Sequence, residues 1–173
     1  FQYTEWTVSK EKHLKKGGAR YQISPWQMIW QDGNYYLIGV DEKSGIVKHY
    51  RVDKMLNITI TSEKRDGGDQ FSKFDIGNYS KRTFGMFAGD ENTLEIEFDN
   101  NLIGVVMDRF GKDIILNSNT ENTFVAKLNV NISSQFYGWL AGLGTGVKIL
   151  SPQSEVEKYL TYIKDISSKY TNY

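Results

Sequence analysis

Between residues 21 and 55 the chain alternates short apolar runs with two polar breaks, a pattern that restricts it to an antiparallel meander. Tyr21 and Ile23, then Met28 and Trp30, then Tyr35, Leu37 and Val40 are spaced as strand residues are. Asp32-Gly33-Asn34 and Glu42-Lys43-Ser44-Gly45 separate them. Asp-Gly tolerates the positive backbone angles of a tight hairpin, and the second break ends in Gly for the same reason. Three strands joined by two tight turns follow. Ser24-Pro25 interrupts the first of them, and because proline donates nothing to a ladder, that point must be an edge, a bulge or a strand entry.

Around this meander the first half reads as support. Phe1, Tyr3, Trp6 and Val8 alternate with polar residues as an edge strand does. Residues 10–20 carry Lys10, Lys12, His13, Lys15, Lys16 and Arg20 around Gly17-Gly18, either a solvated hairpin tip or a positive wall beside the later basic run. Leu56, Ile58 and Ile60 alternate with Asn57, Thr59 and Thr61 and predict a further strand. A flat strand over 48–54 would put Lys48, Tyr50, Val52 and Lys54 on one face and His49, Arg51 and Asp53 on the other. Lys48 and Arg51 converge only if a bulge or bend lies between them.

Tyr35-Tyr36-Leu37 after a glycine turn, followed by Lys48-x-Tyr50-Arg51-Val52-Asp53-Lys54-Met55 after another, resembles the WYL domain of bacterial transcriptional regulators. That family has a Trp-Tyr-Leu strand and a downstream Arg-x-Phe-Arg-x-Asp-Arg-Ile run. Here Tyr35 replaces Trp, Lys48 and Lys54 replace Arg, and Tyr50 replaces Phe. Lysine is a point charge without the two-pronged reach of a guanidinium, so Arg51 carries most of the expected anion recognition. The resemblance implies a small Sm-like antiparallel β-barrel. It places a ligand site at Ser24, Tyr36, Lys48, Arg51 and Lys54, with Tyr21, His49 and Arg109 as secondary candidates. Ser24 has two readings, a hydroxyl facing the ligand or one satisfying a turn.

Arg65-Asp66-Gly67-Gly68-Asp69 reads as a linker, residues 72–81 as a short helix, and Phe84-Gly85-Met86-Phe87 with Gly89 as an apolar clasp. The boundary is placed there, giving a first domain over 1–88 and a second over 89–173. In the second, Leu94, Ile96 and Phe98 alternate as a strand. Leu102, Ile103, Val106, Met107 and Phe110 recur at helical spacing, closed by Gly111. Ile114 and Leu116, then Phe124 to Ile132, form strands; Ser133 caps a helix through Leu143; Val147 to Leu150 is a strand; Pro152 starts a last helix. That order fits a ferredoxin-like, split βαβ layer with a C-terminal helix. Asp108-Arg109-Phe110-Gly111, Phe136-x-x-Trp139-Leu140-x-x-Leu143-Gly144 and Val147-x-Ile149-Leu150-Ser151-Pro152 resemble the C-terminal extension that accompanies WYL domains. Phe136 and Trp139 read as core. Arg109 either faces a partner or pairs with Asp108.

Composition limits the chemistry. The 21 basic and 21 acidic residues cancel, so any nucleic-acid affinity must come from a local patch. With no cysteine and two histidines, His13 and His49, there is no disulfide framework and little to hold zinc. No apolar run approaches a bilayer span, and Phe1-Gln2-Tyr3 is neither a signal peptide nor an initiator, so the chain reads as a piece of a longer cytoplasmic protein. Gly142-Leu143-Gly144-Thr145-Gly146 follows a helix instead of opening one, which makes it a terminator and no nucleotide loop. Nothing assembles a nucleophile, base and oxyanion site, so neither catalysis nor a cofactor is expected. What the resemblance implies is a homodimeric effector module that binds single-stranded nucleic acid or a nucleotide-like anion and controls double-stranded DNA binding by an N-terminal winged helix outside this chain. An assembly scaffold and a small-molecule sensor are the alternatives.

Overall fold

Asp32 and Gly33 both take positive φ, 50° and 76°, and turn the chain from β3 (Ile23–Gln31) into β4 (Asn34–Asp41). Gly45, at φ 65°, turns β4 into β5 (Ile46–Arg51). The computed structural model describes all residues except Lys73, Phe87, Ala88, Asn172 and Tyr173. It divides into two units, residues 1–75 and 76–173. The boundary read from sequence falls after Ala88, outside the described residues, as does Phe87 of the expected clasp.

In the first unit β3, β4 and β5 form the expected meander. A second three-stranded sheet has the order β2-β1-β6, from β1 (Gln2–Trp6), β2 (Lys12–Leu14) and β6 (Met55–Leu56). Among the described residues no ladder joins the two sheets into a closed barrel. The register of β3 on β4 shifts between Pro25 and Gln27. This bulge, where Pro25 withholds a donor, shifts the side-chain alternation by one and puts Ile23 and Met28 on the same face. Gly39 sits opposite it, where an added Cβ would lie 2.6 Å from the Ser24 carbonyl oxygen. Between the sheets pack the rings of Phe1, Tyr3, Tyr21 and Tyr50, with Phe1 stacked on Tyr21 at 5.5 Å and edge-on to Tyr50 at 5.1 Å. Each such pair adds about 0.5–1.5 kcal/mol to simple burial.

The strand predicted over Leu56 to Thr61 is not formed. β6 ends at Leu56, and residues 57–66 run on as an irregular strap. It is tied down at its far end, where Trp26 Nε1 donates to the Asp66 carbonyl (2.6 Å) and the Asp66 N–H donates to Ser24 Oγ (2.8 Å). Alternation alone does not make a strand without a partner edge. A single helical turn, α1 (Gly68–Phe71), stacks Phe71 on Trp26.

The second unit contains α2 (Ile76–Arg82), β7 (Asp90–Asp99), α3 (Ile103–Phe110), β8 (Ile115–Ser118), β9 (Thr123–Ile132), α4 (Ser134–Gly142), β10 (Val147–Ser151) and α5 (Gln153–Ser168). From β7 onward the succession is strand, helix, strand, strand, helix, strand, helix, as the sequence pattern predicts. Its sheet is antiparallel throughout, in the order β10-β7-β9-β8. Leu94, Ile96 and Phe98 of β7 and Phe124, Ala126, Leu128 and Val130 of β9 face the core, joined there by Val106, Phe136 and Leu140 from the helices. The helix ends follow their caps: Gly111 closes α3 at φ 85°, and Ser133 Oγ accepts the Phe136 N–H at 3.2 Å. Overall the chain is mixed α/β, with antiparallel sheets and a C-terminal helix.

Candidate nucleic-acid interface

The pairing of β4 with β5 decides which candidate residues share a face. It runs without a shift from Asp41 opposite Ile46 to Tyr36 opposite Arg51. Residues paired directly across a ladder project to the same side. Tyr36, Ile38 and Val40 therefore share a face with Arg51, His49 and Val47. Leu37, Gly39 and Asp41 share the opposite one with Tyr50, Lys48 and Ile46.

The anticipated gathering of Lys48 with Arg51 is thus not made. The chain does bend, in a 3-10 turn at Val52–Lys54, but only after Arg51. Lys48 instead contacts Asp41 at 3.1 Å. Asp41 also accepts from the Ser44 N–H (3.0 Å), the Ser44 hydroxyl (2.8 Å) and the Tyr50 hydroxyl (3.1 Å). Burial pushes this carboxyl up, but the bonds from Ser44, Lys48 and Tyr50 outweigh it and hold it at about 2. Burial, and then Asp41, push the Tyr50 phenol up. These four residues form a polar lock on the hairpin.

On the other face Arg51 meets Asp53 two-pronged, Nε to Oδ1 at 3.0 Å and Nη2 to Oδ2 at 2.8 Å. The pairing raises the guanidinium and lowers the carboxyl from their ordinary values. The side chains remain 31% and 50% exposed, so the pair is worth about 0–1 kcal/mol. Tyr3 Oη accepts the Arg51 N–H at 2.9 Å and fixes the strand end. Lys54 lies in the 3-10 turn, its carbonyl accepting from Thr4 Oγ1 at 3.1 Å. Lys12 reaches the same turn, Nζ to the Asp53 carbonyl at 3.3 Å. Lys12 comes from the basic segment at 10–20, which the sequence offered as a supplementary wall. Only the pairing of β1 with both β2 and β6 brings it here.

The remaining candidates do not join that pair, although Tyr21 and Ser24 line one cavity in the first unit. Ser24 is buried and clips the strap through Asp66, the turn-satisfying alternative. Tyr21 belongs to the aromatic cluster, with Lys16 Nζ 5.0 Å over its ring. Burial, then Glu5 and Asp41, push its phenol up. Arg109 is in the second unit, stacked 4.0 Å from the Phe84 ring and donating to the Thr83 carbonyl at 2.9 Å. Sequence reasoning passed over Glu155. It is buried in the first turn of α5, accepts from the Tyr137 hydroxyl (2.8 Å) and Lys158 (2.7 Å), and is lost among ordinary surface acids in a linear reading.

Residues 2–60 match the WYL domain, and residues 91–167 match the WCX domain. The chain thus carries a WYL domain followed by a WCX domain. No curated protein matches the sequence. Proteasome accessory factor B/C (PafBC) of Arthrobacter aurescens is similar at 13% identity and a TM-score of 0.42, over 99% of this chain and 25% of that one. A CRISPR Cas-related protein is similar at 15% identity and a TM-score of 0.53, over 98% and 46%. The second likeness is one of fold. This WYL and WCX pair spans a quarter of the first structure and less than half of the second. No helix among the described residues is long and apolar enough to cross a membrane.

Proposed function

We propose that this WYL–WCX chain is the ligand-sensing effector module of a bacterial transcriptional regulator, with single-stranded nucleic acid or a nucleotide-like anion as its signal. The observation that carries the reading is the pairing of Tyr36 with Arg51 across β4 and β5, at a guanidinium whose carboxylate partner is half exposed. A phosphate can replace Asp53 in that fork at little cost, because an exposed ion pair is weak and a planar guanidinium suits a phosphate. Tyr36 supplies a ring for a base to stack on, while Lys12 and Lys54 add charge nearby. In this reading the two sheets of the first unit correspond to a small Sm-like barrel that reads the ligand at the Tyr36–Arg51 end of β4 and β5. The module does no catalysis, works as a cytoplasmic homodimer, and acts on DNA through a winged helix elsewhere in the protein. The signal passes because ligand favours one arrangement of the dimer over another.

The test is binding of a mixed-sequence single-stranded oligonucleotide by the purified chain across a salt series. The expected result is affinity at low salt that falls steeply as salt rises and is largely lost in Arg51→Ala. Absence of binding at low salt would overturn the nucleic-acid reading.

A further inference from the structure

Beneath the strap lies a cavity of about 520 Å³ lined by Tyr21 and Ser24 among others, but not by Tyr36 or Arg51. Its floor is Ile23, Met28 and Leu37 from the meander, its wall includes Met55, and Ile58 and Ile60 of the strap form its lip. That volume lies within the range of about 300–1,000 Å³ typical of small-molecule sites, which are mostly apolar with a few placed polar groups.

The strap itself supplies an independent observation. Ile58 and Ile60 are 62% and 98% exposed, although with Leu56 at the end of β6 their spacing is that of a strand's buried face. A soluble chain gains by covering such a row, at roughly 25 cal/mol for each Å² removed from water. The strap is anchored at both ends. Arg20 Nη1 holds the Asn57 carbonyl (3.1 Å) and Thr59 Oγ1 (3.2 Å) at its start, while Arg65 holds the Pro25 carbonyl (3.2 Å) and lies 4.2 Å over the Trp26 ring at its end. Between the anchors the backbone can settle onto a guest without breaking a ladder.

The charged groups on the cavity wall are Arg20, Lys64 and Arg65 against Glu42 and Glu63. Glu63 accepts from the Gln22 side chain. A guanidinium has five N–H donors, and the two bonds of Arg20 both use Nη1, so its fork retains donors for a carboxylate.

We propose that this cavity is a second binding site, for a small amphiphilic carboxylate whose hydrocarbon body lies under the strap and whose head reaches Arg20. Binding draws Ile60 down and orders the strap beyond the Arg20 anchor. It requires nothing of Arg51, which is on the other face of β5.

The experiment is thermal unfolding of the full chain with sodium decanoate below its micelle-forming concentration, beside decanol and decyltrimethylammonium. Decanoate at about tenfold saturation is expected to raise Tm by about 5 °C, decanol less, and the cationic amphiphile not at all. Ile58→Asp, at a position 62% exposed on the strap, is expected to abolish the shift. Arg20→Gln is expected to bring decanoate down to decanol, and Arg51→Ala to leave the decanoate shift intact. The proposal is overturned if decanoate gives no shift, if all three amphiphiles shift Tm equally, or if Ile58→Asp retains the effect. Loss of the shift in Arg51→Ala would also overturn it.

Discussion

The Tyr50 hydroxyl donates to Asp41 at 3.1 Å, joining the end of β4 to β5 across a buried face, and Asp41 takes two more bonds from Ser44 and one from Lys48. Asp41 therefore ionises well below its ordinary value of 3.8, at about 2. A carboxyl lowered by folding contributes stability that is present above the unfolded value and lost as pH falls through the folded one. About 2 kcal/mol of first-unit stability is expected to disappear between about pH 4 and pH 2. Urea titrations at stepped pH check this, and Asp41→Asn should flatten the dependence in that window.

Gly39 faces the bulge at Trp26, and any Cβ there meets the Ser24 carbonyl oxygen at 2.6 Å. Backbone cannot swing aside as a side chain can. Gly39→Ala is expected to cost about 1–3 kcal/mol in chemical denaturation, whereas an alanine at Gly104, where the space is open, should cost far less.

Asp53 competes with any anion for Arg51. Asp53→Asn is expected to tighten oligonucleotide binding several-fold at low salt, about 1 kcal/mol, since it removes a like charge and an occupant of the fork. Arg51→Ala should instead reduce the slope of log affinity against log salt by about 0.7, one single-strand phosphate contact. Lys48→Ala, on the opposite face and bound to Asp41, should leave that slope unchanged.

In the second unit, Tyr137→Phe removes the hydroxyl that donates to the buried carboxylate of Glu155 at 2.8 Å. A loss of about 1–3 kcal/mol is expected in equilibrium denaturation followed through that unit. Lys158→Ala should cost less, its side chain being 62% exposed.

The meander was legible because Asp32-Gly33 and Gly45 are local signals, needing only the residues beside them. The second unit was legible because its strands and helices differ in period and its helices carry their own caps. The Leu56–Thr61 strand was misread, since pairing depends on an edge that distant residues must provide. For the candidate site, alternation already said that Lys48 and Arg51 need a bend between them, but only the continuous register of β4 on β5 shows that the bend falls later. Lys12 and Glu155 left no local trace of where they end up. The first reaches the Asp53 turn through strand pairing, and the second is buried by packing of α5.

Trp26 lies between Phe71, stacked at 5.4 Å and nearly parallel at 7°, and the guanidinium of Arg65. Trp6 and Trp30 are already 58% and 60% exposed to water. The indole at position 26 is thus a built-in optical gauge: unseating the Arg65 end of the strap changes its emission while those two, and Trp139 packed on the second unit's core, stay constant. Whether residues 57–66 move when a molecule arrives can be read from the protein's own light, without attaching a dye.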